Sequence, residues 1–397
     1  MKHVIVIGAG FAGLMALKQL VKSKDLKLTL INKNNSFLFT PRLTELLNEN
    51  ISKKIVIKDI KEIFGNKLNF INDKANYIDF NKKYVKTNKL KINYDYLIMS
   101  QGATTNFFGN KNIQKNAIGF KDYNAVLKIS NKIKDNIKKA SKSSKNSKNF
   151  SGHKKSQSDF LVNKGKKLLT FAVIGAGLTG IELICSLKEA VFKEVKKYPG
   201  INSKNIKFIL IQGERTIVPE LPAKVRLKIE KHLTNNNIEI MTGNIIKNIK
   251  NNIILTKNKK VKAATIIWTA GIKANVIKTS PKLKLSKEDT IKATNKLKIP
   301  MYDDVYVAGD AALFIGDNKP LAATAQTAFE EGINIGKNIL RRINGKKEKD
   351  FHYSHKGTLI VLGSKYGIFN YKSITFGGKL AWHLRHLIYK LRFKQIT

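Results

Sequence analysis

Short apolar runs alternate along the chain with longer stretches in which apolar residues recur every three or four positions. Val4–Ile7 reads as a strand, Phe11–Lys22 as a helix and Leu28–Ile31 as a second strand. Tyr96–Met99 is a further apolar run, ending in Ser100-Gln101-Gly102. Strand–helix–strand order predicts a parallel α/β sheet. The same grammar restarts downstream. Leu168–Ile174 reads as a strand, Leu178–Lys197 as a long helix and Ile206–Ile211 as a strand. Pro222–Asn235 follows as a helix, Ile245–Val261 as a hairpin turning at Lys250-Asn251-Asn252, and Thr265–Trp268 as a short strand. A third strand and turn begin at Val305, and Phe351–Thr397 is mixed. Between the two copies, Lys138–Lys148 is almost free of apolar residues and is expected to be a solvated loop. No apolar run approaches the roughly 20 residues a membrane-spanning helix needs. The apolar N-terminus runs straight into a glycine turn, so it reads as a strand and not as an export leader.

The glycine turns carry the first chemistry. Gly8-Ala9-Gly10-Phe11-Ala12-Gly13 follows a strand and opens a helix. Glycine is needed there for a tight turn, for backbone approach to a pyrophosphate and for close helix–strand packing, with the helix N-terminus facing the phosphates. Gly175-Ala176-Gly177-Leu178-Thr179-Gly180 repeats the pattern in the same context. Two such turns imply two dinucleotides whose reactive rings meet at a domain interface. The acid that usually binds the ribose at the end of the following strand is replaced by Asn32 in the first unit and Gln212 in the second; Glu214 stands two residues late. Val305–Ala312 ends a strand in Gly309-Asp310, which places a carboxylate at a helix start, where an N-cap role is also open.

Charge and cysteine content narrow the picture further. The 397 residues suit two or three domains. The net charge is +46, from 74 basic and 28 acidic residues. Such a field favours anionic partners, although the lysines are spread through the chain as a compositional bias would spread them. The single cysteine, Cys185, cannot form an internal disulfide or a cysteine metal cluster, and is read as a packed small residue. The seven histidines have no metal spacing, so no metal is expected. His383 and His386 are expected to face solvent or lipid head groups.

Together, Gly8–Gly13, Tyr94-Asp95-Tyr96-Leu97-Ile98 with Gly102, Gly175–Glu182, Thr265–Gly271 and Ala308-Gly309-Asp310 resemble the two-dinucleotide flavoprotein disulfide reductase superfamily. A narrower resemblance, to the type II NADH dehydrogenases, rests on Phe37–Pro41, Gly102–Gly109, Trp268–Lys273, Ala323–Ala328 and Lys356–Leu359. It implies an α/β fold with two Rossmann-like domains. The FAD domain is discontinuous (1–124 and 296–345) and an NAD(P)H domain (168–290) is inserted, with a basic linker at 138–167 and a C-terminal segment at 346–397. It implies FAD and NADH as cofactors, with NADPH left open as a second donor.

The resemblance also implies roles for particular residues. Asp310 would bond the ribityl or phosphate region of the flavin. Gln326 and Thr327 would lie at its ring beside a quinone pocket, and Glu182 near the stacked nicotinamide. Lys33, Pro41, Ala75, Gln101, Gly102 and Gly271 would complete the cofactor contacts. The family usually carries a second glutamine where this chain has Glu330, so the quinone contact departs from the pattern. Each residue also has a plainer reading: Glu182 as a partner of the helix dipole, Gln326 as a polar helix-start residue, Glu330 as a solvated helix face.

The implied activity is hydride transfer from NADH to FAD, then passage of two electrons to a membrane quinone without proton pumping. A soluble NAD(P)H oxidase or electron-carrier reductase is one alternative. A basic flavin-bearing protein that binds membrane or nucleic acid is another, and nucleic acid is the least favoured partner. A homodimer is left open. The paired cysteines that the disulfide and sulfide:quinone reductases need are lacking. From Leu380, the residues Leu384, Leu387, Ile388 and Leu391 recur at helical spacing, with Trp382 near the start and Lys379, Arg385, Lys390, Arg392 and Lys394 as a basic surround. That pattern predicts an interfacial helix on an anionic membrane surface, at the cytoplasmic face of the cell membrane. Packing of the stripe against a core is the competing expectation.

Overall fold

A computed structural model describes residues 1–48, 51–148, 167–316 and 319–397. Two five-stranded parallel sheets dominate it. The first runs in the order Val305–Val307, Tyr96–Met99, Lys2–Ile7, Leu26–Asn32, Asn69–Asn72. The second runs Ile118–Gly119, Thr265–Trp268, Thr170–Ile174, Lys207–Ile211, Ile238–Met241. In each, the strand that precedes a glycine turn lies in the centre. Strands such as Thr170–Ile174 are buried throughout, as parallel strands covered on both faces must be.

The helices follow from the apolar spacing. Phe11–Leu20 buries Leu14, Leu17 and Leu20, and Leu178–Val195 buries Ile181, Leu183, Ile184 and Leu187. Cys185 is buried within the second of these, as a packed small residue. Helix Ala325–Ile343 lies against Phe11–Leu20 at very short range. A Cβ on Gly332 would come within 2.1 Å of the Ala12 carbonyl oxygen, and one on Gly336 within 2.7 Å of the Ala16 oxygen. The segment Ile246–Lys250, Ile253–Thr256 and Lys260–Lys262 forms a three-stranded antiparallel sheet, so the predicted hairpin gains a third strand.

The expected loop over Lys138–Lys148 is instead the end of helix Tyr123–Lys148. Its first half buries Ile129, Ile133 and Ile137. Once those turns are anchored, each further residue adds a hydrogen bond at little cost, and lysine is a good helix former. The rest of the predicted linker, 149–166, lies outside the described residues.

The C-terminal part is an antiparallel sheet, Thr358–Val361, Gly367–Tyr371 and Ile374–Gly378, followed by helix Lys379–Ile396. Leu380, Leu387 and Leu391 of this helix are exposed, at 70%, 55% and 53%. The opposite face packs inward: Tyr389 and Phe393 meet Phe39 edge-on, and Ile396 is fully buried. Arg385, expected in the basic surround of the outer face, is also fully buried. His386 is half-buried too, with its Nε2 3.3 Å from Glu45, while His383 is exposed as expected.

Arg385 anchors the helix. Its guanidinium bonds Glu45 and the Pro41 carbonyl (2.7 Å) and lies 4.1 Å from the Tyr389 ring centre. Arg42 grips the same Glu45 carboxylate at 2.7 Å. Burial pushes the Arg385 guanidinium down to about 10, so it stays charged at neutral pH. Arg385→Ala should therefore destabilise the fold by about 3 kcal/mol, because it leaves a buried carboxylate and a carbonyl short of a donor. Thermal unfolding should fall by several degrees; an unchanged midpoint would show that the helix is held by apolar packing alone.

Candidate functional site

The two glycine turns have the same geometry. Strand Lys2–Ile7 ends at Gly8, which has φ +102°, and a Cβ there would lie 2.1 Å from the Ser100 carbonyl oxygen. Gly175 repeats this with φ +103° and Ala270 Cα at 2.7 Å. The last glycine of each turn is equally confined: a Cβ on Gly13 would lie 2.1 Å from the Gly8 oxygen, and one on Gly180 1.8 Å from the Gly175 oxygen. The middle glycines differ. Gly10 and Gly177 have nothing within 4 Å of a would-be Cβ. They are also the helix N-caps, and neither helix has a side-chain cap. Free helix N–H groups beside open backbone fit a pyrophosphate.

The predicted ribose ligands do something more local. Asn32 Oδ1 accepts the Ala9 N–H at 3.0 Å, and its Nδ2 donates to the Asn34 carbonyl at 2.8 Å. Gln212 Oε1 accepts the Ala176 N–H at 2.9 Å. Each carboxamide thus pins the second residue of its glycine turn. Lys33, beside Asn32, is exposed. Sequence spacing finds these positions but not this role.

A seam joins the carboxyl ends of the two sheets. After strand Tyr96–Met99 the chain forms Ala103–Thr105, which pairs antiparallel with Ile272–Ala274, just beyond strand Thr265–Trp268 of the other sheet. Gln101 and Asn275 bond each other's backbone at the end of this ribbon: Gln101 Nε2 donates to the Asn275 carbonyl at 3.1 Å, and Asn275 Nδ2 to the Gln101 carbonyl at 2.9 Å. Gly102, with φ +63°, accepts the Asn275 N–H at 2.9 Å, and Gly271 accepts the Asn106 N–H at 3.0 Å. The loops that follow the neighbours of the two central strands are therefore bound to one another. Each glycine turn lies against one of these loops, Gly8 against Ser100 and Gly175 against Ala270.

Asp310 sits in the short helix Gly309–Ala311 and pairs with Lys121 at 2.8 Å. Thr324 caps helix Ala325–Ile343 by accepting the Thr327 N–H, and Thr327 Oγ1 donates to the Ala322 carbonyl. Gln326 Nε2 and Gln101 Oε1 are buried without a hydrogen-bond partner. Such atoms call for one, which a bound flavin could supply. Ala75 is buried, and Phe11 meets Phe37 and Phe39 at 5.3 Å. Leu178 and Thr179 form the first turn of the second glycine helix. Glu330 pairs with Lys356 at 2.6 Å and is neither isolated nor fully solvated.

Two carboxyl groups are held in unusual states. Glu182 Oε1 accepts the Val361 N–H at 3.0 Å, and its Oε2 lies 3.7 Å from Arg385 Nη2. Burial pushes its carboxyl up to about 8, with the Val361 bond opposing. Glu331, which sequence reasoning did not single out, accepts the Gly309 N–H at 2.6 Å and so ties helix Ala325–Ile343 to the Gly309-Asp310 turn. Burial pushes it up to about 8 as well, reinforced by the nearby Asp310 charge. Its neighbour Glu330 drew attention because it sits at a familiar motif position. Glu331 and Lys121 carry no such sign.

Glu331 makes stability depend on pH. A raised folded pKa means that the folded state holds the proton longer than the unfolded state does. Its contribution is full below the ordinary carboxyl range and is lost as pH rises toward 8. Glu331→Gln keeps an acceptor for Gly309 without the ionisation. It should match the parent protein below about pH 4 and exceed it at pH 9 by of the order of 1–3 kcal/mol in thermal or urea unfolding. Parallel pH profiles for the two proteins would refute this.

Comparison with known proteins follows this geometry. Residues 2–332 match the family described as pyridine nucleotide-disulphide oxidoreductase. The chain is 26% identical to the type II NADH:quinone oxidoreductase of Staphylococcus aureus (strain NCTC 8325 / PS 47), over 98% of this chain and 94% of that one. Its fold resembles the solved structure of NDH2 from Plasmodium falciparum in complex with NADH, with TM-score 0.85, 20% identity and coverage of 100% and 97%. It also resembles the sulfide:quinone oxidoreductase of Aquifex aeolicus, with TM-score 0.77, 17% identity and coverage of 100% and 91%.

Proposed function

The chain belongs to the pyridine nucleotide-disulphide oxidoreductase family, and within it we propose that it is an FAD-dependent NADH:quinone oxidoreductase of type II. The observation that carries this reading is the seam: two glycine turns shaped for dinucleotides lie against the two loops that one ribbon joins. FAD supplies the redox chemistry, accepting a hydride from NADH on one side and releasing two electrons to a quinone on the other. The residues bind and align. The 8–13 turn holds the FAD pyrophosphate at the Phe11 helix start, and the 175–180 turn does the same for NADH. Asp310, steadied by Lys121, meets the flavin's ribityl or phosphate side. Gln326 offers its Nε2 to the flavin ring. Glu182 borders the nicotinamide, and Glu330, salted to Lys356, stands where the family's second glutamine would meet the quinone. The lone buried Cys185 supports a quinone acceptor over a disulfide, because dithiol chemistry needs two sulfurs.

The donor preference follows from the second sheet. The strand Lys207–Ile211 is followed by Gln212, whose oxygen is already used by Ala176, and then by exposed Glu214 and Arg215. No carboxylate stands at the strand end to repel a 2′-phosphate, and Arg215 attracts one. The purified protein should be yellow with one FAD per chain and should oxidise NADH with a soluble quinone, and NADPH too at a measurable rate. Asp310→Ala should lower FAD retention, read by visible absorbance after gel filtration, since a charge-assisted contact is removed. A colourless protein that takes up no FAD would overturn the proposal.

We also place the chain on an anionic membrane surface, on the side where NADH is available, with electrons but no ions moved by the reaction. No described helix is long and apolar enough to cross a membrane. The exposed leucines of helix Lys379–Ile396 support peripheral docking, with lysines alongside them for anionic head groups. Truncation of this helix would also remove Arg385 and Tyr389 from the interior, so substitution is the better test. Replacing Leu380, Leu387 and Leu391 with serine should leave the soluble-quinone rate intact and abolish most flotation with anionic liposomes. Undiminished flotation would assign docking to another surface.

A further inference from the structure

Along one face of the second sheet lies an open basin of about 630 Å³, between strands Thr170–Ile174, Lys207–Ile211 and Ile238–Met241 and the outer strand Lys260–Lys262. Half of the residues lining it are lysines: Lys167, Lys204, Lys207, Lys259, Lys260 and Lys262. One carboxylate, Glu239, faces the six ammonium groups, and among the described residues none of the six lysines forms an ion pair.

The arrangement is unfavourable without a counter-charge. Like charges around one concavity repel, and a concave wall of low dielectric focuses their field into the basin. The floor is of another kind: Ile209, Met241 and Val261 belong to the apolar cluster between the sheet and the antiparallel strands. A cationic rim over an apolar floor suits a compact anion with several phosphates, and the volume falls within the range for a small-molecule site. The lining runs along the sheet from Thr170 and Lys207 to Met241, which pairs with Ile211. Gly175 is five residues beyond Thr170, about 16 Å along the strand, and is not among the lining residues.

We propose that this basin binds a soluble polyphosphorylated anion, of the size of tripolyphosphate or a nucleoside triphosphate. A bilayer surface is flat on this scale and would meet the rim but not the floor, which favours a soluble ligand over lipid head groups. The site is independent of the donor and acceptor of the redox reaction.

Calorimetric titration of the holoprotein with tripolyphosphate tests it, with saturating NAD⁺ present to occupy the dinucleotide cradle. Three proteins are compared: the parent, the double variant Lys260→Glu with Lys262→Glu, and a control of equal charge change on the first sheet's side, Lys82→Glu with Lys89→Glu. The expected result is saturable one-to-one binding, weakened by raised salt and at least about tenfold weaker in the basin variant. The control should keep its affinity, and retention of FAD by all three verifies folding. Flotation with phosphatidylglycerol vesicles should be equal for the basin variant and the parent. Absence of saturable binding overturns the proposal. So does equal weakening in the control, which would mean diffuse charge. Loss of vesicle binding in the basin variant would reassign the basin to lipid head groups.

Discussion

The site depends on how closely a strand-to-helix turn can approach the strand beside it. At Gly8 and Gly175 the backbone runs with positive φ against the turn that follows the neighbouring strand, at distances that leave no room for a Cβ. Any other residue would push the helix away from its sheet and lift its N-terminus off the phosphate position. At Gly10 and Gly177 the surroundings are open, and the missing side chain leaves space for a ligand and not for a neighbour. The same residue type thus serves two different needs within six positions, twice in one chain.

A second constraint couples these cradles to the rest of the molecule. Arg385, on the last helix, reaches Glu45 near the Phe37–Pro41 segment and lies 3.7 Å from Glu182 on the second glycine helix. The helix that shows its leucines outward is therefore joined, through one buried guanidinium, to a carboxyl on the second glycine helix. Glu331 makes a comparable tie on the first sheet's side, between helix Ala325–Ile343 and Gly309. These contacts are costly to bury singly and are stable because each has a hydrogen-bonded partner.

Much of this was legible in the sequence, for identifiable reasons. Parallel strands buried on both faces must be continuous apolar runs, and the cradles admit only glycine, so both leave plain marks. Helical spacing grouped Leu380, Leu384, Leu387 and Leu391 on one face, but periodicity cannot say which face meets a core. Arg385 was accordingly misplaced on the outside, because a buried arginine is recognised only by its partners, and Glu45 lies 340 residues away. Asn32 and Gln212 were found by position, yet their bonds to Ala9 and Ala176 depend on side-chain reach. The end of helix Tyr123–Lys148 was read as a loop because its stability comes from isoleucines earlier in the same helix.

In the proposed reaction, NADH bound at the 175–180 turn reduces a flavin bound at the 8–13 turn. Gly177→Asp separates the two cradles, because Gly177 has ordinary φ of −74° and open space around it, so the substitution spares the fold while placing a negative charge where the NADH pyrophosphate would lie. The measurement is the rate at which the visible flavin band bleaches when the oxidised holoprotein is mixed with NADH without oxygen. The variant should retain its flavin and be bleached at least about a hundredfold more slowly than the parent, while dithionite reduces both alike. Equal bleaching by NADH, or loss of the flavin from the variant, would rule out this division of labour between the two turns.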